Sequence, residues 1–231
     1  MKIAGIIGGL GPESTVDYYQ ALLRTWRERR PDGSAPAIVI TSIDLQRMVG
    51  LVTAGRLADM TEYLLGECRR LAAAGADFGL ISANTPHVVF DDLAPRSPLP
   101  LISIVETTRD AARARGLRRL ALLGTRFTMQ GRFYPGAFER AGMVIVTPRP
   151  DEQAFIHDTY MGELVNGVFR DEARQRFHAI VRRLRADELV DGVILGGTEL
   201  PLLLRDPVEA GIPLLDTTRL HVERAVEEML T

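Results

Sequence analysis

The feature that most constrains this chain is its alternation of short apolar runs with longer amphipathic ones. Residues 3–7, 37–43, 78–82, 101–104, 120–123, 144–146 and 193–195 are short, rich in Ile, Val and Leu, and do not alternate polar with apolar. Strands covered on both faces have that composition. Between them, residues 13–30, 56–74, 107–114, 134–141, 157–166, 171–186 and 221–230 carry helical spacing. The alternation predicts an α/β fold with mostly parallel sheets flanked by helices. Gly75, Gly116 and Gly142 fall just past predicted helix ends, where a left-handed residue is expected.

Composition narrows the function classes. With 231 residues the chain can bury a sizeable core without metals or disulfides. Lys plus Arg number 28 and Asp plus Glu 30, a net charge of −2. That balance argues against nucleic acid or an anionic membrane as partner. The first apolar run stops at Gly8-Gly9, too short for a secretory leader, and no run reaches the ~20 residues of a membrane span. A cytoplasmic protein is expected. Cys68 is the single cysteine, so an intrachain disulfide, a Cys-rich metal site and a catalytic thiol pair are all excluded. No spacing indicates a metal.

The chain also resembles itself. Gly8-Gly9-Leu10-Gly11-Pro12 follows the first predicted strand, and Gly124-Thr125 follows the fifth; each is succeeded ten residues after its first glycine by a tyrosine, Tyr18 or Tyr134. Asn84-Thr85-Pro86-His87 and Gly197-Thr198-Glu199 close later strands in the two halves. Two similar α/β domains are therefore expected, residues 1–100 with 212–231 and residues 101–211. Their strand-end loops would surround a ligand cleft between them, since open parallel sheets bind ligands at the carboxyl ends of their strands.

Each of these turns has two readings. Gly8–Gly11 with Ser14 and Thr15 is either a tight turn opening a helix or a cradle for a carboxylate; it lacks the spacing of a dinucleotide fingerprint and the Lys of a P-loop. Asn84 and Thr85 offer amide and hydroxyl groups, and His87 either transfers protons or packs at a helix start. Thr198 and Glu199 either cap a helix or face a ligand. Thr125, Arg126 and Thr128, and the run Asp216-Thr217-Thr218 followed by His221, add further polar groups. Together they point to a small polar ligand with several hydrogen-bonding groups. Cys68, inside a helical pattern and far in sequence from every such turn, reads as structural.

The segments Gly8–Thr15 with Tyr18-Tyr19, Asn84-Thr85-Pro86-His87, residues 123–129 with Phe133-Tyr134, Leu195-Gly196-Gly197-Thr198-Glu199, and Asp216-Thr217-Thr218 with His221 agree in order and spacing with one family. Over nearly its full length the chain resembles the aspartate/glutamate racemases. The resemblance implies two pseudo-symmetric domains, no cofactor, a homodimer, and a small amino acid or carboxylate as ligand. It implies Gly11, Ala83, Asn84, Thr85, Thr125, Arg126, Gly197 and Thr198 as ligand neighbours, with Gln46 or Arg47 contacting a carboxylate. In the family two thiols flank the substrate α-carbon, just before Asn-Thr in one turn and Thr-Glu in the other. Here Ala83 and Gly197 stand in those places, and neither can remove a proton. His87, Glu199 and Ser82 are the remaining acid or base candidates. The small residues also imply extra room beside the α-carbon. Three functions stay open: a lyase, decarboxylase or isomerase, a racemase without thiols, or an inactive carboxylate-binding protein.

Overall fold

A computed structural model describes residues 1–204 and 211–231. It contains two four-stranded sheets, every neighbouring pair parallel. The first sheet uses β1 (Ala4–Gly8), β2 (Ile38–Ser42), β3 (Phe78–Ile81) and β4 (Leu101–Ile102) in the order β2-β1-β3-β4. The second uses β5 (Arg119–Gly124), β6 (Val144–Val146), β7 (Gly192–Gly196) and β8 (Leu214–Asp216) in the order β6-β5-β7-β8. The two orders are the same, so the repeat seen in the sequence is a repeat of topology. The central strands β1, β3 and β7 are buried at every residue, which is why their sequences lack alternation.

Two compact units result, Met1–Ile104 with Thr218–Thr231, and Val105–Thr217. In the first, α1 (Pro12–Arg29), α2 (Leu45–Thr53), α3 (Leu57–Ala73) and the short α4 (Phe90–Leu93) accompany the sheet. The last helix, α11 (Thr217–Met229), belongs mostly to this unit: its Val222, Ala225, Val226 and Met229 share one buried cluster with Tyr18, Leu22 and Trp26 of α1 and with Ile6, Phe78 and Leu80 of the sheet. A second cluster buries Met60, Leu64, Cys68 and Leu71 of α3 against Ile7 and Ile81. Cys68 is a core residue, and burial pushes its thiol pKa up.

The second unit holds α5 (Ile104–Ala114), α6 (Arg126–Gln130), α7 (Phe133–Glu139), α8 (Pro150–Gly162), α9 (Asp171–Glu188) and α10 (Leu200–Leu203). Ile156 and Tyr160 of α8 and Phe177, Val181 and Leu184 of α9 pack on Leu123, Val193 and Leu195. The fourth apolar run was predicted to extend to residue 104, but its strand ends at Ile102 and Ile104 begins α5. The helix predicted at 157–166 begins at Pro150 and ends at Gly162. Its early start follows from Pro at the first helical position and Glu152, whose carboxylate accepts the Arg149 N–H at 2.9 Å. Gly75, Gly116 and Gly142 all have positive φ, as expected. No helix among the described residues is long and apolar enough to cross a membrane.

Candidate functional site

In each unit the chain reverses direction across its sheet between two adjacent strands. In the first these are β1 and β3, with Ile7 paired to Ile81; in the second they are β5 and β7, with Gly124 paired to Gly196. The turns after these strands therefore lie side by side at the carboxyl ends, the position where open α/β sheets form ligand crevices. Gly8–Pro12 and Ser82–His87 are neighbours in one unit, and Thr125 and Gly196–Glu199 in the other. The parallel register thus brings together the motifs that the sequence separates by some seventy residues.

The glycine turn is shaped by sterics first. Gly9 has φ +81°, and a Cβ on it would fall 2.3 Å from the Ile43 carbonyl oxygen. Its N–H donates to the Thr15 hydroxyl at 2.8 Å, so this amide closes the turn rather than standing open to an anion. Gly11, φ +114°, is the N-cap of α1, and the Thr15 N–H donates back to its carbonyl at 3.2 Å. The tight-turn reading of this segment is thus satisfied in full; the amide of Gly9 is withdrawn from the carboxylate cradle.

On the second turn two of the catalytic candidates are engaged by the backbone. The Ser82 hydroxyl, fully buried, donates to the Ile7 carbonyl at 3.1 Å and ties β3 to β1. His87 is 2% exposed, and both its ring nitrogens meet backbone. Nε2 accepts the Ile104 N–H at 3.2 Å, so Nδ1 carries the proton and donates to the Ala83 carbonyl at 3.1 Å. Burial, reinforced by nearby His221, pushes its pKa down to about 3. His87 is a neutral strut that fixes the Ala83 carbonyl, with no nitrogen left for a substrate. His221 is held the same way. Its Nε2 faces the Ile102 carbonyl at 3.0 Å and must donate, so Nδ1 accepts from the Tyr18 hydroxyl at 3.0 Å. Burial lowers its pKa to about 4. Between these two imidazoles the ring centroids are 6.4 Å apart. Asn84 and Thr85 open the 3-10 turn Thr85–Val89, with Asn84 3% exposed. Thr218, at the start of α11, is 2% exposed and its hydroxyl has no hydrogen-bond partner.

In the second unit Thr125 is the N-cap of α6, its Oγ1 accepting the Thr128 N–H at 3.2 Å. The Arg126 N–H donates to Nδ1 of His157 at 3.2 Å, while its side chain is exposed. Thr217 donates to the Leu195 carbonyl at 2.9 Å, joining β8 to β7. Gly197 is the informative position. A Cβ built on it would lie 2.4 Å from Cε2, 2.9 Å from Cζ and 3.0 Å from Oη of Tyr160. The ring of Tyr160, brought in by α8, occupies the volume that a side chain at residue 197 would take. The expected extra room on this turn is therefore absent, because an aromatic ring fills it. The Tyr160 hydroxyl donates to Oε2 of Glu199, and the Thr198 hydroxyl donates to the same oxygen at 2.9 Å. Glu199 is 1% exposed and Tyr160 6%. Burial and the adjacent carboxylate raise the phenol pKa well above its usual value. Tyr160 escaped the sequence reading because an aromatic four residues after Ile156 on a helix reads as core, which it also is.

Gln46 and Arg47 stand in the first turn of α2, whose N-cap Asp44 accepts both their N–H groups at 2.8 and 3.4 Å. The Arg47 guanidinium lies 4.0 Å from the Tyr63 ring centroid, in a groove between α2 and α3 that also includes Gly50 and Gly66. The Arg47 side chain is thus packed on α3. No group of three or more metal-ligating side chains occurs among the described residues.

Comparison with known proteins gives the same assignment as the fold. The Asp/Glu/hydantoin racemase family model matches residues 7–225. A broad specificity amino-acid racemase, RacX, of Bacillus subtilis (strain 168) is 24% identical over 238 residues, spanning 98% of this chain and 97% of that protein. The crystal structure of an aspartate racemase homologue from Pyrococcus horikoshii OT3 superposes with a TM-score of 0.85 at 31% identity, with 100% of both chains covered. The Picrophilus torridus aspartate racemase, 21% identical, shares the fold with a TM-score of 0.81 over 99% of this chain and 94% of that one. Matched along almost its whole length in sequence and in topology, the chain belongs to the Asp/Glu/hydantoin racemase family.

Proposed function

We propose that this family enzyme acts without a thiol pair or cofactor on the α-carbon of a small amino acid or carboxylate, and that its proton transfer is one-sided. The observation that carries the reading is Tyr160, stacked over Gly197 with its hydroxyl on Glu199. A phenol whose pKa is raised stays protonated near neutral pH. In the resting protein its proton is hydrogen-bonded to the Glu199 carboxylate; once a bound ligand draws the hydroxyl off that oxygen it can give its proton to a carbanion, a far stronger base, but it cannot take an α-proton. On the other turn Ala83 supplies no acid or base, and the hydrogen bonds of His87 and Ser82 occupy both of them. In the second unit a phenol donor beside a carboxylate already held by two hydrogen bonds suits a reaction that makes its carbanion by losing a group. In a decarboxylation the C–C bond electrons stay on the α-carbon as carbon dioxide leaves, the phenol proton moves to that carbon, and water reprotonates the phenolate. In the second unit Thr125 and Thr198 are proposed to bind the ligand's carboxylate or polar substituents, and in the first Asn84 and Thr85, with the unpartnered hydroxyl of Thr218, are proposed as carboxylate-binding groups of their own turn.

A second reading is kept alive by the near-complete coverage of RacX. Under it the Glu199 carboxylate is the base for racemisation. The test is to incubate the protein with L- and D-aspartate, L- and D-glutamate and 2-substituted malonates, measuring carbon dioxide and product configuration. One-sided chemistry gives carbon dioxide and, from a malonate carrying two different substituents at C2, one enantiomer, with Tyr160→Phe losing ~100-fold or more in rate. Interconversion of amino-acid enantiomers without carbon dioxide release would support the racemase and overturn the first reading.

A further inference from the structure

We propose a second ligand site, for a compact polyanion, at the amino ends of β5 and β6, the end of that sheet remote from Thr125 and Gly197. A pocket of about 320 Å³ is lined there by Arg113 in the last turn of α5, Arg118 before β5, and Arg140 after α7, with Leu117 and Met143 as its floor. The three guanidiniums come from three segments that the sheet holds in register: the Val144 N–H donates to the Arg118 carbonyl at 2.8 Å, and the Gly116 N–H to the Arg113 carbonyl at 3.0 Å. The volume is near the lower limit for small-molecule sites.

The charge pattern identifies the ligand class. No carboxylate lines the pocket, and among the described residues none of the three guanidiniums has an ion-pair partner. The acids nearest in sequence are committed elsewhere. Asp110 pairs with Arg109 at 2.9 Å and Glu139 with Arg132 at 2.9 Å, while Asp191 accepts the backbone N–H groups of Arg118 and Arg119 at 2.7 and 3.0 Å. Other arginines do have carboxylate partners, as Arg149 has Asp187 and Arg224 has Glu228. Three like charges around one concavity repel unless an anion neutralises them. Guanidinium forks match phosphate and carboxylate oxygens with two hydrogen bonds each, so the fitting ligand is compact and carries several negative charges, as a short phosphate chain or a polycarboxylate does. A single monocarboxylate would leave most of the positive charge uncompensated, which separates this site from the strand-end turns.

The test is isothermal titration of the full chain with tripolyphosphate and, separately, citrate, at about 50 mM and about 300 mM sodium chloride. The expected result is saturable binding of one equivalent of at least one of the two, weakened by salt. Binding should fall ~tenfold or more in Arg118→Gln and in Arg140→Gln, vanish in the variant carrying both with Arg113→Gln, and persist in Arg24→Gln on α1. Circular dichroism melts establish that each variant is folded. Tripolyphosphate alone binding identifies a phosphate-bearing ligand, and citrate alone a polycarboxylate. No saturable binding at the lower salt, or equal binding in the triple variant, overturns the site.

Discussion

Replacing Gly197 with cysteine supplies the residue type that the family resemblance implies on that turn, and it should damage this protein. The new Cβ would start 2.4 Å from Cε2 of Tyr160, well inside the contact distance of two carbons, so the ring must move. Tyr160 is 6% exposed, packed with Ile156, Leu164 and Phe177, and bonded to the buried carboxylate of Glu199. Overfilling a packed site costs about 1–3 kcal/mol. Pulling the phenol off a carboxylate forfeits a charged hydrogen bond worth about 1.5–3 kcal/mol. The two are partly alternative, since a small tilt of the ring relieves some of the clash, so about 3 kcal/mol is expected for Gly197→Cys. The control is Tyr160→Leu, whose side chain is too short to reach Gly197. In that background the same cysteine should cost less than about 1 kcal/mol, leaving a coupling of at least about 2 kcal/mol. Urea unfolding of the four proteins measures the cycle. Gly197→Cys as stable as the parent, or equally costly in both backgrounds, would refute the claim that the Tyr160 ring fills the space beside Gly197.

Other predictions concern the frame around the site. His87 and His221 have pKa values of about 3 and about 4, depressed from 6.5 by burial. The unfolded chain therefore takes up protons first on acidification. Stability is complete above about pH 6.5 and falls by up to ~1.4 kcal/mol per pH unit for each histidine between about pH 6 and pH 4. Urea titrations across that range should show the loss, and His221→Asn should reduce the slope. Gly9→Ala forces a Cβ to 2.3 Å from the Ile43 carbonyl at positive φ, and should cost ~3 kcal/mol or more in melting experiments. Leu189 closes α9 in the left-handed region, φ 53°, while 76% exposed. Leu189→Asn should stabilise the protein by about 0.5–1 kcal/mol, raising the urea midpoint.

The fold was legible because its signal is repeated. Apolar runs of four to six residues without alternation mark β1, β3, β5 and β7 unmistakably, and the twofold recurrence of glycine turn and polar turn anticipates two sheets of the same order. Short elements were less visible. β4 has two residues and α6 five, so tertiary pairing and the Thr125 cap define them rather than any periodic pattern. At the site the sequence located the turns but did not show what their side chains bond to. His87 and Ser82 looked like chemistry because they are polar residues after a buried strand. Their hydrogen bonds instead go to backbone carbonyls, His87 to that of Ala83 and Ser82 to that of Ile7, which also accepts the Ser82 N–H. Gly197 looked like an opened space, because nothing in one dimension reveals that α8 lays Tyr160 over it. That contact is between residues 37 positions apart in sequence. Arg47 illustrates the converse: the sequence left it near a carboxylate, and α2 turns it onto Tyr63.

The one-sided reaction is tested most directly by proton NMR in D2O with pure L- and D-aspartate, L- and D-glutamate and a 2-substituted malonate. A phenol that serves only as a proton donor predicts that the α-protons of the amino acids do not exchange. It also predicts that the malonate yields a monodeuterated product of a single configuration, and that the reaction is lost in Tyr160→Phe. Exchange of the α-proton in both enantiomers at comparable rates, unaffected by Tyr160→Phe, would contradict the account.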